Sequence, residues 1–172
     1  MNQHELLKIL TPPPDPVAIG SVSGWRAVED RIGLALPSDY KWFISVYGAG
    51  IVEAAELVVF SPFAADDLTS LDSWISYHRS YEIEMQDYGF DVPPPGLLPW
   101  AKDSTRGTCL WDTKSGDPEI WGVFVLLQEI MEVYPDNMTT FLYKLLTGAR
   151  ESIVYRAPLD PRLPTRYRPV SQ

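Results

Sequence analysis

Three apolar runs near the middle of the chain constrain its fold more than any other feature. Leu98–Ala101, Thr108–Trp111 and Ile120–Leu127 are separated only by the turn sequences "DSTRG" and "TKSGDP". Strand-like runs joined by such short polar loops predict a consecutive antiparallel meander. "AELVVF" (Ala55–Phe60), β-branched and aromatic, adds a buried strand before them, and Met131–Tyr134 a further one after. Helical patterns at both ends then make the chain α+β. The predicted fold is an antiparallel sheet of about four to six strands flanked by N-terminal, middle and C-terminal helices.

The best-marked helix lies in "LPSDYKWFISVYGAGI". Pro37 and Ser38 suit its entry, with Ser38 or Asp39 as the cap. Tyr40, Phe43, Ile44 and Tyr47 share one face at helical spacing, and Gly48 and Gly50 end it. The stretch holds no nucleophile, metal ligand or phosphate loop, so its predicted work is packing. Trp25–Ile32 forms a second helix with Gly33 as its stop, and Leu6, Leu7 and Leu10 mark a short first one, ended by "TPPPDP". A long helix is predicted over Asp66–Tyr88, with Leu68, Leu71, Ile75, His78 and Met85 inward and "DVPPPG" as its end. The last helix follows Asp136 or Asn137, buries Met138, Phe141, Leu142, Leu145 and Leu146, and stops at Gly148. Beyond it, Pro158, Pro161, Pro164 and Pro169 predict no regular structure, and deletion of residues 158–172 is expected to leave the fold intact.

A chain of 172 residues, 45% hydrophobic, is large enough for a single-domain core. The net charge of −9 disfavours nucleic acid as a direct partner, because phosphate binding needs a basic surface. Its distribution is uneven: residues 53–91 carry nine carboxylates against Arg79, whereas residues 149–172 carry five arginines against two carboxylates. "WGVFVLLQEIM" is broken by Gln128 and Glu129, so no membrane span is expected, and "MNQHELLKIL" does not read as a secretory signal. Cys109 is the single cysteine, which fits a reducing cytosol, so the sequon at Asn137 carries no weight. The expected location is cytoplasmic.

Catalytic chemistry finds little support. Cys109 with His78 as base is one pairing to consider, but "TCLWD" reads as a strand interior, where a lone Cys behaves as a small hydrophobe. His4, His78 and one Cys fall short of a zinc set, and the two hairpin loops lack calcium-ligand spacing, so no metal is expected. Glycine-rich phosphate loops are missing as well, and no cofactor is expected. Asp66–Asp67 and Glu82/Glu84 could pair for acid–base work, but charges on a helix are commonly a solvated face. Trp100, Trp111 and Trp121 lie on or beside strands and serve the core, with one or two left as candidate binding anchors.

"WRAVEDRIGLALPSDYKWFISVYGAG", "LLPWAKDSTRGTCLWDT" and "FLYKLLTG" together resemble the SUKH superfamily. The positions that carry the resemblance are Trp25, Glu29, Gly33, Leu36, Pro37, Asp39, Tyr40, Phe43, Tyr47, Gly48, Gly50, Trp100, Gly107, Trp111 and Asp112. "YGAG" departs from a commoner Asn-Gly-Gly. The resemblance implies a SUKH-like domain over 25–148, preceded by a helix and Pro-rich linker (1–24) and followed by an Arg/Pro-rich tail (149–172). It also implies a non-enzymatic bacterial immunity protein that binds and neutralises a toxin, nucleases among the targets. A fungal cell-wall assembly regulator shares that fold, which keeps an intracellular scaffold or regulator as the alternative. On this reading Asp66, Asp67, Asp72, Glu82, Glu84 and Asp87 are the candidate partner-binding residues, an acidic surface for a basic toxin. The competing readings are a solvated face and neutralisation by the tail arginines.

Overall fold

The computed structural model describes residues 3–87, 96–104, 107–128, 130–150, 152 and 165–170, with the side chains of residues 84–86 outside that description. Six strands follow one another across the sheet as an antiparallel meander: β2 (Gly50–Val52), β3 (Leu57–Val59), β4 (Leu97–Lys102), β5 (Thr108–Asp112), β6 (Val123–Leu127) and β7 (Ile130–Tyr134). Beside β2 lies β8 (Thr165–Pro169), antiparallel to it, and β1 (Leu10–Thr11) runs parallel to β8. The order is β1-β8-β2-β3-β4-β5-β6-β7, eight mostly antiparallel strands among the described residues rather than four to six. β1 and β2 escaped the sequence reading because two or three residues are too short to show alternation.

The tail is the larger correction. Thr165 and Tyr167 point into the core while Arg166 and Arg168 face solvent, a period-two pattern hidden by its arginines and Pro169. The Tyr167 hydroxyl donates to the Gly48 carbonyl at 2.9 Å, and its ring meets Phe43 and Tyr47 at 5.6 and 5.3 Å. Residues 153–164, with Arg156, Arg162 and three of the prolines, lie outside the described residues.

Five helices complete the described chain: α1 (Gln3–Ile9), α2 (Val22–Ile32), α3 (Ser38–Tyr47), α4 (Leu71–Asp87) and α5 (Met138–Leu146). α3 and α5 cover the sheet face lined by Tyr167, Val59, Trp100, Cys109 and Trp111. Tyr40 packs edge-on against Trp111 at 4.9 Å, and Phe141 against Trp100 at 6.2 Å. A bulge between Pro99 and Ala101 turns Trp100 to this side beside Ala101. Trp100, Trp111 and Trp121 are all buried, so none is a surface anchor. Buried tyrosine hydroxyls donate to main-chain carbonyls: Tyr40 to Phe60 and Tyr47 to Leu10, each at 2.8 Å. The pairing explains tyrosine rather than phenylalanine at these positions, since an unpaired buried hydroxyl is costly.

The capping differs from expectation. α3 begins after Pro37 with no cap from its own first turn. Glu119 supplies it from a distant turn, accepting from Ser38 N–H at 2.9 Å and Ser38 Oγ at 2.6 Å. Asp39 instead serves α5, where Asn137 is the N-cap: Asp39 Oδ2 accepts from Thr139 N–H at 2.9 Å and Thr139 Oγ1 at 3.2 Å. Burial raises the Asp39 carboxyl above its ordinary value, with the Thr139 hydrogen bonds pulling the other way. Glu29 holds the α2–α3 loop by accepting from Leu36 N–H at 2.8 Å and Lys41 Nζ at 2.6 Å. Burial alone would raise its carboxyl, but those two donors prevail and lower it. Gly33 closes α2 in the left-handed region, φ 79°. Gly48 and Gly50 serve close approach: a Cβ on Gly48 would lie 2.0 Å from the Val17 carbonyl oxygen, and on Gly50 2.5 Å from that of Arg168. Gly50 thus admits the returning tail strand.

Gly107 and Asp112 shape the hairpin loops. Gly107 N–H donates to Asp103 Oδ1 at 2.7 Å, and Lys114 N–H to Asp112 Oδ1 at 3.1 Å.

Candidate partner-binding surface

α4 lies on the opposite sheet face from α3 and α5. Lys102, which alternates away from the core-facing Ala101, places its Nζ 4.3 Å from the centre of the Trp74 ring, and Phe60 stacks on the same indole at 5.0 Å and 2°. The helix starts at Leu71 rather than Asp66, because residues 66–70 form a turn stabilised by their own side chains. Asp66 accepts from Thr69 N–H at 2.9 Å and from the Thr69 hydroxyl, and Trp74 Nε1 donates to the Leu68 carbonyl at 2.9 Å. Leu71, Ile75 and His78 form the buried stripe, whereas Leu68 is exposed in the turn, contrary to its predicted inward place. The "DVPPPG" stop lies mostly outside the described residues.

The six candidate carboxylates separate by their surroundings. Asp66 is occupied in its turn, and Asp72 takes a bidentate pair from Arg31 at 2.7 and 3.1 Å. Glu82 Oε1 is 3.4 Å from His78 Nδ1. Burial pushes the His78 imidazole below its ordinary value, against the pull of Glu82. Asp67, which accepts from Ser73 Oγ at 2.9 Å, and Asp87 are exposed, and the Glu84 side chain lies outside the description. Arg168 of the tail meets Glu53 at 3.3 Å, one ion pair within the acidic segment.

Sequence reasoning missed the aromatic part of this surface. Tyr77 and Tyr81 are 60% and 40% exposed, with ring centres 6.5 Å apart and planes at 17°. Their i, i+4 spacing was the available signal. Beyond Lys102 lies an open cleft of about 530 Å³. Apolar Ile51, Val58 and Leu68 line it together with Glu53, Glu56, Lys102, Asp103, Ser104 and Arg168. Ser104 Oγ donates to Glu56, which holds a left-handed backbone at φ 49°.

The described residues weighed for catalysis lie on separate elements: Cys109 in β5, His78 and Glu82 on α4, and Asp66 and Asp67 in its entry turn. Cys109 is buried in β5, and His78, on α4, has Glu82 Oε1 as its polar neighbour at 3.4 Å. Among the described residues no group of three His, Cys, Asp or Glu side chains could hold a metal ion. Among the same residues no helix is long and apolar enough to cross a membrane.

The family model SUKH_6, described as SMI1-KNR4 cell-wall, matches residues 23–142, from the start of α2 into α5. No curated protein and no solved structure gives a significant match. The match takes in α2, α3, the whole meander and α4, and on that extent the chain belongs to the SUKH superfamily.

Proposed function

We propose that this chain is a non-enzymatic immunity protein that binds a toxin domain in the cytoplasm and neutralises it by covering its active site. The family match over residues 23–142 carries the reading. The surface of α4 supports it: Tyr77, Tyr81 and Asp87 are exposed on this long helix, and Asp67 is exposed in the turn that leads into it. Acidic charge speeds encounter with a basic toxin, and rigid aromatics are common interface anchors. Such a surface needs no turnover to act; it inhibits by staying bound.

Co-expression tests this reading. A toxin domain encoded beside this chain's gene should stop growth alone, and growth should return when the chain is supplied. Asp67→Lys with Asp87→Lys should slow association about tenfold at low salt and flatten its salt dependence. Both residues are exposed, so melting should barely change. Growth arrest that persists with the chain present contradicts the proposal. The family's cell-wall description favours a second reading, a regulatory interaction domain with no toxin partner. Deletion of the gene separates the two: altered envelope integrity without any toxin points to the regulator.

A further inference from the structure

Four rings form a ladder from the sheet to the surface of α4. Buried Phe60 stacks on Trp74, Trp74 meets Tyr77 edge-on at 5.4 Å and 70°, and Tyr77 stacks with Tyr81. The inner part of the ladder already holds a cation, since the Lys102 ammonium sits over the Trp74 ring. The outer part is open. Ser73, Ser76 and Ser80 flank the tyrosines with short side chains, and two of their hydroxyls are already engaged: Ser80 Oγ donates to the Ser76 carbonyl at 3.0 Å and Ser73 Oγ to Asp67. Arg79 is about 200° around the helix from Tyr77 and likewise from Tyr81, so its charge does not compete for their faces. Exposed Asp67 and Asp87 lie in the entry turn and at the far end of the same helix, and residues 53–91 carry nine carboxylates against one arginine.

Ring faces attract cations through their quadrupole, and arginine adds planar stacking. Rings held by a helix that is itself packed on the sheet lose little freedom on binding. We propose that the Tyr77–Tyr81 pair is a seat for guanidinium or ammonium groups, through which the chain grips an arginine- or lysine-bearing loop of a basic protein partner. This rests on the reading of the chain as a binder of a basic protein, and it names where that partner docks. An acidic partner is disfavoured because it would meet the carboxylates Asp67 and Asp87 on the same helix and its entry turn.

A blocked hexa-arginine peptide tests the seat without a known toxin. The peptide should shift the ring resonances of Tyr77 and Tyr81 saturably, and its citrulline counterpart, uncharged but similar in shape, should not. Tyr77→Ala with Tyr81→Ala should weaken binding of the peptide about fivefold to thirtyfold, and Tyr77→Phe with Tyr81→Phe should stay within about twofold of wild type. Unmoved ring resonances, or equal affinity in the alanine pair, overturn the proposal, and the resonance test needs no variant to fold. If a toxin is neutralised as well by the alanine pair as by wild type, the seat is wrong while the immunity reading stands. If hexa-arginine seats on the tyrosines but no toxin is protected against, the immunity reading fails and the cation seat stands.

Discussion

Replacing Tyr167 tests whether the C-terminal strand is part of the core. The residue is 5% exposed, its ring packs on Phe43 and Tyr47, and its hydroxyl reaches the Gly48 carbonyl at 2.9 Å. Tyr167→Phe keeps the ring and strands a buried carbonyl, which costs about 1–2 kcal/mol. Tyr167→Ala also opens a cavity between α3 and β8, for a total of about 3–5 kcal/mol. A domain of this size loses about 2–4 °C of melting temperature per kcal/mol. The phenylalanine variant should therefore melt about 2–8 °C lower and the alanine variant about 6–20 °C lower, by circular dichroism with calorimetry as a check. Gly50 supplies a companion perturbation: Gly50→Val puts a Cβ 2.5 Å from both the Arg168 carbonyl oxygen and the Tyr167 ring, and should push β8 off β2. Tyr167→Ala melting within about 2 °C of wild type, or a chain cut before Thr165 that melts with undiminished temperature and cooperativity, would show that β8 is no part of the core.

Phe43→Ala, at a fully buried ring stacked on Tyr47 at 4.5 Å, should cost about 3–5 kcal/mol in urea unfolding; unchanged stability with lost partner binding would move α3 from core to interface. Asp39→Ala leaves Thr139 N–H without its acceptor and should cost about 1–2 kcal/mol, with hydrogen exchange rising first in the opening turn of α5; uniform exchange across the chain would contradict the capping role. His78 supplies a pH dependence. Its folded value is lowered, so the unfolded chain takes up the proton first as pH falls through the ordinary histidine range near 6.5. Its stabilising contribution is present above that range and is lost below it, so melting temperature should drop between about pH 7 and 5, and less steeply in His78→Gln. An identical slope in the variant would assign the effect to other groups.

The parts of the fold with strong periodicity could be read from the sequence. Tyr40, Phe43, Ile44 and Tyr47 share one helical face, and all four are buried in α3 as their spacing requires. The meander followed from apolar runs and turn residues, and Asn137 caps α5 as one of the two residues named for it. Long-range pairing was not legible. β8 offers one large apolar residue between arginines, and only its place beside β2 makes Tyr167 a core residue. Capping by Glu119 and Asp39 spans 81 and 100 residues, a distance over which local motifs say nothing. For the candidate site, charge pointed to an acidic segment, but counting carboxylates could not separate Asp72, held by Arg31, from exposed Asp87. The tyrosine pair was present at i, i+4, yet its exposure depends on which side of α4 faces the sheet.

Stoichiometric inhibition tests the central claim most directly. If a toxin domain is encoded beside the gene, the purified chain is titrated into it while the toxin's own activity is followed. Occlusion predicts that activity falls linearly and reaches zero near about one equivalent of the chain, because a tight binder acts only on the molecules it covers. Full activity at a large excess of the chain would contradict the account, and so would complete loss at a small fraction of an equivalent, which would mark a catalyst.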